Sequence, residues 1–283
     1  MFGCHINGDL FEDIANIHKD GGTLIQCFIT DPIGKKTLKL SDSEINKIKN
    51  HLMKYNISMI IHAPYVLNFA RDFKIKSNIN TRESWWIKTI LTELEYASKI
   101  GAKGSVIHFG KYLHLDKHIA ISNMVESLKY VIQNISELNT SKNTFIYLET
   151  SCGQGSELGY TIEEFSTIYN SFSEDDKETI KICIDTCHIF VAGYDIRTPE
   201  GFDNFIIKFN KLIGIKYIKL IHLNDSNKPV ESHVDRHDTI GDGFIGLKGL
   251  QYIYNWAKKE GIDIILETGG SFIKQKELLE GYH

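Results

Sequence analysis

Long apolar runs are missing from this sequence: nowhere do roughly 18 apolar residues follow one another without a charge, so no membrane-spanning helix is expected. The N-terminal stretch MFGCHINGDLFEDI lacks the basic segment and apolar run of an export signal, and it meets acidic residues almost at once. Cysteine is scarce. The five (Cys4, Cys27, Cys152, Cys183, Cys187) are odd in number and scattered through apolar text, and they read as reduced thiols of a soluble intracellular protein of unspecified compartment. Cys183 and Cys187 form a C-x3-C pair with no second pair beside it, which argues against a four-thiolate zinc site. There is no Gly/Ser/Pro-rich linker or low-complexity tract, so one domain over residues 1–283 is the simplest organisation, and nothing asks for more than a monomer. A positive excess is lacking too: 32 Lys and Arg face 36 Asp and Glu, for a net charge of −4. That argues against holding nucleic acid by bulk positive charge. The objection weakens if bound metal neutralises part of the acidic excess, since three divalent ions would turn −4 into +2.

What is present is alternation. Eight short apolar runs (2–6, 23–28, 57–62, 104–108, 144–149, 180–185, 217–222 and 262–267) are separated by amphipathic stretches, clearest at Asp42–Lys54, Arg82–Lys99, Asp116–Ile135, Thr161–Tyr169, Pro199–Leu212 and Leu247–Lys258. A short last helix is expected around Ile273–Leu279. Ser41 with Glu44, Thr81 with Glu83, and Thr161 with Glu164 supply helix-start signals. Runs such as TFIYL and IDIIL are apolar on both faces, as strands between a barrel interior and an outer helix layer must be. Eight βα units predict a closed (β/α)8 TIM barrel, an α/β fold in a single domain.

The ends of those runs carry the chemistry. His62, His108, Glu149, Asp185, His222 and Glu267 each close an apolar run, 36 to 46 residues apart, one βα unit each. In a barrel the C-terminal strand ends share one face, so six metal-type ligands converge on one mouth. Three carboxylates gathered there without a cation would repel one another. Two further segments add ligands: His188, three residues beyond Asp185, and Asp235-Arg-His237 after the seventh run, where an extended backbone projects Asp235 and His237 to one side. Mixed His and carboxylate ligation suits zinc, manganese or iron.

At this point the chain resembles the endonuclease IV family of apurinic/apyrimidinic endonucleases. The strings that carry the resemblance are Leu148-Glu149-Thr150-x3-Gln154-Gly155, Cys183-Ile-Asp185-Thr186-Cys187-His188-x3-Ala192-Gly193-Tyr194-Asp195, His222-Leu-Asn-Asp-Ser226, Val234-Asp235-Arg236-His237-Asp238-x2-Gly241 and Ile265-Leu266-Glu267-Thr268. They occur in the family's order along nearly the whole chain. The resemblance implies three zinc ions, with manganese an alternative at part of the set. It assigns the first ion to His62, His108 and a bridging Glu149, the second to Glu149, Asp185, His222 and Glu267, and the third to His188, Asp235 and His237. It further implies double-stranded DNA with abasic sites as partner, and base-excision-repair incision 5′ to the lesion that leaves a 3′-hydroxyl and a 5′-deoxyribose phosphate. Glu267 and Glu149 are then the catalytic carboxylates, Glu267 orienting or deprotonating the attacking water.

Two departures stand out. The family's His-Pro-Gly reads His108-Phe109-Gly110 here, and the basic side chain that family members insert into the DNA stack after strand two has no match in Phe28-Ile-Thr-Asp-Pro-Ile-Gly-Lys35-Lys36. Tyr65 and Val66 occupy the other wedge positions, and Lys111, Lys35, Lys36 and Arg236 are candidate backbone contacts. Asn224 and Ser226 are expected to support His222, and His5 to sit at the pocket or in the core. Two rivals remain open: a ketose isomerase or epimerase on a related barrel, which has no evident use for His188, Asp235 and His237 as a third ligand set, and a catalytically silent protein that binds damaged DNA.

Overall fold

In the computed structural model the described residues are 1–34, 39–71, 84–137 and 144–281; Lys35, Lys36 and the Thr81-Arg82-Glu83 helix start lie outside them. Each of the eight apolar runs is a strand: β1 (Phe2–His5), β2 (Leu24–Cys27), β3 (Ser58–His62), β4 (Gly104–His108), β5 (Phe145–Glu149), β6 (Ile180–Asp185), β7 (Ile218–His222) and, after a two-stranded ribbon of β8 (Asp225–Ser226) and β9 (His237–Asp238), β10 (Asp263–Leu266). Parallel pairing closes them in the order β1-β10-β7-β6-β5-β4-β3-β2. The expected eight-stranded barrel is therefore the fold. No helix among the described residues is long and apolar enough to cross a membrane.

Two apolar layers hold the barrel. Leu24, Ile60, Val106, Tyr147, Cys183, Leu220 and Ile265 form one buried cluster, contributed by seven of the eight strands. The alternate residues, among them Ile25, Ile61, Ile107, Leu148, Ile184 and Ile221, join the larger cluster shared with the helices. Each fully buried Ile or Leu contributes about 1.5–3 kcal/mol relative to exposure.

The helices follow the amphipathic segments: α1 (Leu10–Lys19), α2 (Asp42–Tyr55), α3 (Trp85–Ile100), α4 (Lys117–Glu137), α5 (Ile162–Tyr169), α6 (Glu174–Thr179), α7 (Thr186–Val191), α8 (Pro199–Leu212), α9 (Leu247–Lys259) and α10 (Phe272–Glu280). Ser41 and Glu44 close a reciprocal capping box on α2, and the Thr161 hydroxyl accepts from Glu164 N–H at the start of α5. Three helices were not legible. In α1 Asp9 accepts from the N–H groups of Phe11 and Glu12, whereas α6 and α7 have only six residues each, too few to show a helical period.

Candidate metal centre

Parallel pairing decides which strand ends meet. His108 is registered beside Glu149 across β4 and β5, and Asp185 beside His222 across β6 and β7. The mouth these ends form holds a cavity of about 220 Å³, lined by His62, His108, Glu149, His188, Asp235, His237 and Glu267 together with Tyr65 and Arg236. Asp185 and His222 are completely buried.

The donor atoms gather in groups. His62, His108 and Glu149 offer ligand atoms all within 4.8 Å of one another, as do Glu149, Asp185, His222 and Glu267, and also Asp185, His188 and His237. Glu149 joins the first two. Its Oε2 lies 3.4 Å from Nε2 of both His62 and His108, and its Oε1 lies 2.9 Å from His222 Nδ1. Asp235 closes the outer side, with Oδ2 3.2 Å from His188 Nε2 and Oδ1 3.3 Å from His237 Nε2. All nine sequence-predicted ligands are thus brought together. His188 is carried by α7 rather than a loop: Asp185 caps that helix by accepting from His188 N–H at 2.9 Å.

A divalent cation fits this donor set on three counts. Glu149 Oε2, His108 Nε2 and His188 Nε2 are buried without a hydrogen-bond partner, which is costly unless something else satisfies them. The second ring nitrogen of three histidines is already engaged: His62 Nδ1 with Ala63 O at 2.8 Å, His188 Nδ1 with Thr150 O at 2.7 Å, and His222 Nε2 with Gln26 Oε1 at 2.9 Å. That is the arrangement by which metal-binding imidazoles are oriented and their tautomer fixed. The third count is electrostatic. Burial opposes charge on Glu149, yet His108 and His222 outweigh it and hold the carboxyl well below its usual range. Burial lifts Asp185 against the pull of His188 and His237. His237 rises to about 9 despite burial, because Asp185 and Asp235 face it. Histidine and carboxylate thus lean on one another for charge balance, a balance a divalent cation would supply directly.

The cysteines contribute little. Cys183 lies within reach of Glu149 and His222, and Cys187 of Asp235 and His237, but burial pushes both thiols up to about 12. None of the ligand groups among the described residues contains both cysteines.

Around the mouth the other expected residues divide. Tyr65 is exposed at the rim, its ring centroid 5.4 Å from that of His62 and 5.6 Å from that of His108. Val66 and Lys111 line an adjoining cleft of about 480 Å³. The Lys111 ammonium lies 3.3 Å from Glu157 Oε1, and Arg236 donates to the carbonyl of Asp235. Asn224 bonds not His222 but two other site carboxylates, donating to Asp185 Oδ2 at 2.6 Å and Glu267 Oε2 at 3.2 Å while its Oδ1 accepts from Glu267 N–H. Ser226 pairs with His237 across the β8–β9 ribbon. His5 stands outside the cavity lining, its Nδ1 3.0 Å from Gln26 Nε2. Residue type alone did not point to Gln26. Its one signal was a lone polar residue within a buried strand.

A model of the xylose isomerase-like TIM barrel family matches residues 14–280. The relative named "Probable endonuclease 4" of Halothermothrix orenii is 32% identical over 271 residues, covering 94% of this chain and 92% of its own length. The chain belongs to the endonuclease IV family. Among solved structures, endonuclease IV from Thermus thermophilus superposes with a TM-score of 0.78 at 21% identity, over 99% of this chain and 97% of that one. A D-tagatose 3-epimerase-like protein reaches 0.71 at 20% identity, over 99% and 96%. At such identities the likeness speaks for the fold alone, so the family rests on the curated relative and not on the barrel.

Proposed function

We propose that this chain, as one catalytic barrel, is a zinc-dependent apurinic/apyrimidinic endonuclease that hydrolyses the phosphodiester 5′ to an abasic site in duplex DNA, leaving a 3′-hydroxyl and a 5′-deoxyribose phosphate. The observation that carries the reading is the convergence of nine His and carboxylate side chains, with the second ring nitrogen of three of the imidazoles already engaged. His62, His108 and Glu149 would hold one ion, Glu149, Asp185, His222 and Glu267 a second, and His188, Asp235 and His237 a third. Zinc ions so bound supply Lewis acidity toward phosphoryl oxygens and bring the pKa of water toward about 7.

The chain's own groups do the rest. Glu267, held by Gln26 on one oxygen and by Asn224 on the other, is the carboxylate assigned to orient the attacking water and take its proton. Asp185 and His222 lie fully buried at the floor of the site. An abasic nucleotide unstacks at lower cost than an intact one, and the cavity at the mouth is where it would enter. Tyr65 at the rim and Val66 in the adjoining cleft are the side chains that would fill the gap left in the stack. Arg236, which lines the mouth, and Lys111, which lines the adjoining cleft, would contact the DNA backbone, Lys111 after leaving Glu157.

One assay tests the reading: a duplex with a single abasic-site analogue, incubated with protein with and without chelator. Incision 5′ to the analogue, lost with chelator and restored by zinc, is the expected result; no incision in zinc-replete buffer overturns it. Glu267→Gln is expected to slow cleavage by about 10²–10⁴-fold while leaving affinity for the abasic duplex intact, and a near-normal rate removes its assigned role.

A further inference from the structure

Gln26 is a neutral amide in the middle of β2, yet it contacts two of the proposed ligands and a third polar side chain. It is fully buried. Register sets it beside His5 on β1 and Ile60 on β3, below the mouth and one strand removed from β10, which Glu267 follows. From there its amide reaches three groups. Nε2 donates to Glu267 Oε1 at 2.6 Å and lies 3.0 Å from His5 Nδ1, while Oε1 lies 2.9 Å from His222 Nε2.

The direction of each bond follows from the carboxylate. An ionised Glu267 can only accept, so the amide nitrogen must face it, and the reverse orientation would set an amide oxygen against a carboxylate oxygen. The amide oxygen is then left to accept, and the His222 nitrogen facing it must carry the proton. In a neutral, metal-binding His222 Nδ1 is then the lone-pair atom, and Nδ1 is the atom that points at Glu149 Oε1 and Glu267 Oε2, at 2.9 and 3.1 Å. By the same device Glu267 Oε1 is occupied and Oε2 turns toward His222 and Asn224. His5 supplies a second acceptor for the amide N–H2, which holds it against rotation.

We propose that Gln26 is a positioning residue of the metal centre: a single amide selects the coordinating atom of two ligands from opposite sides, Nδ1 of His222 and Oε2 of Glu267. The proposal rests on the reading that the mouth binds zinc, and it concerns only the ion assigned to Glu149, Asp185, His222 and Glu267. It therefore predicts a local lesion. A general weakening of the fold would lower all zinc affinities together.

The test is competitive zinc titration of Gln26→Met, which keeps the length of the side chain and removes both hydrogen-bonding groups, with folding checked by circular dichroism. One zinc equivalent is expected to weaken by about 10- to 100-fold, the usual effect of removing an outer support of a ligand, with the other equivalents unchanged. Unchanged affinity for every equivalent, or an equal loss across all, overturns the proposal. A second measurement needs no variant: nitrogen-detected NMR of the histidine rings in zinc-loaded wild-type protein. His222 is expected as the Nε2–H tautomer, and an Nδ1–H form contradicts the assignment. Wild-type protein that takes up no zinc at all would overturn both this inference and the proposed function, whereas a zinc-replete wild type with an indifferent Gln26→Met overturns this inference alone.

Discussion

His62, Glu149, Asp185 and His222 are held by strands, and each is no more than 1% exposed; Asp235 and His237 belong to the segment after β7, and their side chains are 39% and 22% exposed. The two halves are fixed by different physics. The strand-borne half inherits its geometry from sheet register and from the apolar layers on both sides of the barrel wall. The loop-borne half is organised around one buried carboxylate. Asp225 accepts backbone N–H bonds from Ser226, Ile245 and Gly246 on Oδ1 and from Gly241 and Gly243 on Oδ2, at 2.8 to 3.3 Å. The chain passes so close to it that a Cβ at Gly243 would lie 2.6 Å from Asp225 Oδ1. A rigid floor and a polar-tethered lip thus complete one site, and they should fail separately.

The largest expected effect comes from the residue that unites the strand-borne groups. Glu149→Gln should strip zinc from the first two ligand groups and slow incision by more than about 10³-fold, beyond the loss of a single electrostatic contact; retention of full zinc content would mean Glu149 bridges nothing. Next comes the lip. Asp225→Asn turns one acceptor into a donor facing backbone N–H groups, and a stability loss of about 1–3 kcal/mol is expected. Denaturant melts would record that loss, and zinc analysis should find the outer equivalent weakened while the strand-borne ones persist. Equal loss from both halves would erase the distinction between floor and lip.

An effect confined to one pH range probes the wall behind the floor. Glu93 on α3 is fully buried, and burial raises its carboxyl from 4.5 to about 7 against the hydroxyls of Thr30 and Ser105. Because the folded value is raised, the stability it contributes is full below pH about 4.5 and is lost as pH rises through about 7. Glu93→Gln should therefore leave melting near pH 4.5 almost unchanged and stabilise the protein at pH 8, by on the order of 2–3 kcal/mol. A stabilisation at low pH instead would reverse the sign.

The same division explains what could be read in advance. Strand-end ligands were legible because a closed barrel turns one-dimensional phase into a shared face, so the spacing from His62 to Glu267 already implied their convergence. Asp235 and His237 were legible by residue type, but their closure on His188 accompanies a ribbon, with Ser226 opposite His237, that only the fold forms. The short α7 was hidden because Asp185 ends a strand and caps a helix at once. Gln26 acts through an amide that no ligand pattern flags, whereas Asn224 was expected beside His222 and bonds Asp185 and Glu267 instead; the Glu267 contacts of the two amides, 241 and 43 residues distant, exist only in the fold.

The most direct measurement is the zinc count of the wild-type protein, by native mass spectrometry after exhaustive dialysis against metal-free buffer and reloading. Three ions per chain are expected, with one lost first as chelator is raised. Saturation at a single ion, or none, would contradict a three-ion centre built from a strand-borne floor and a loop-borne lip.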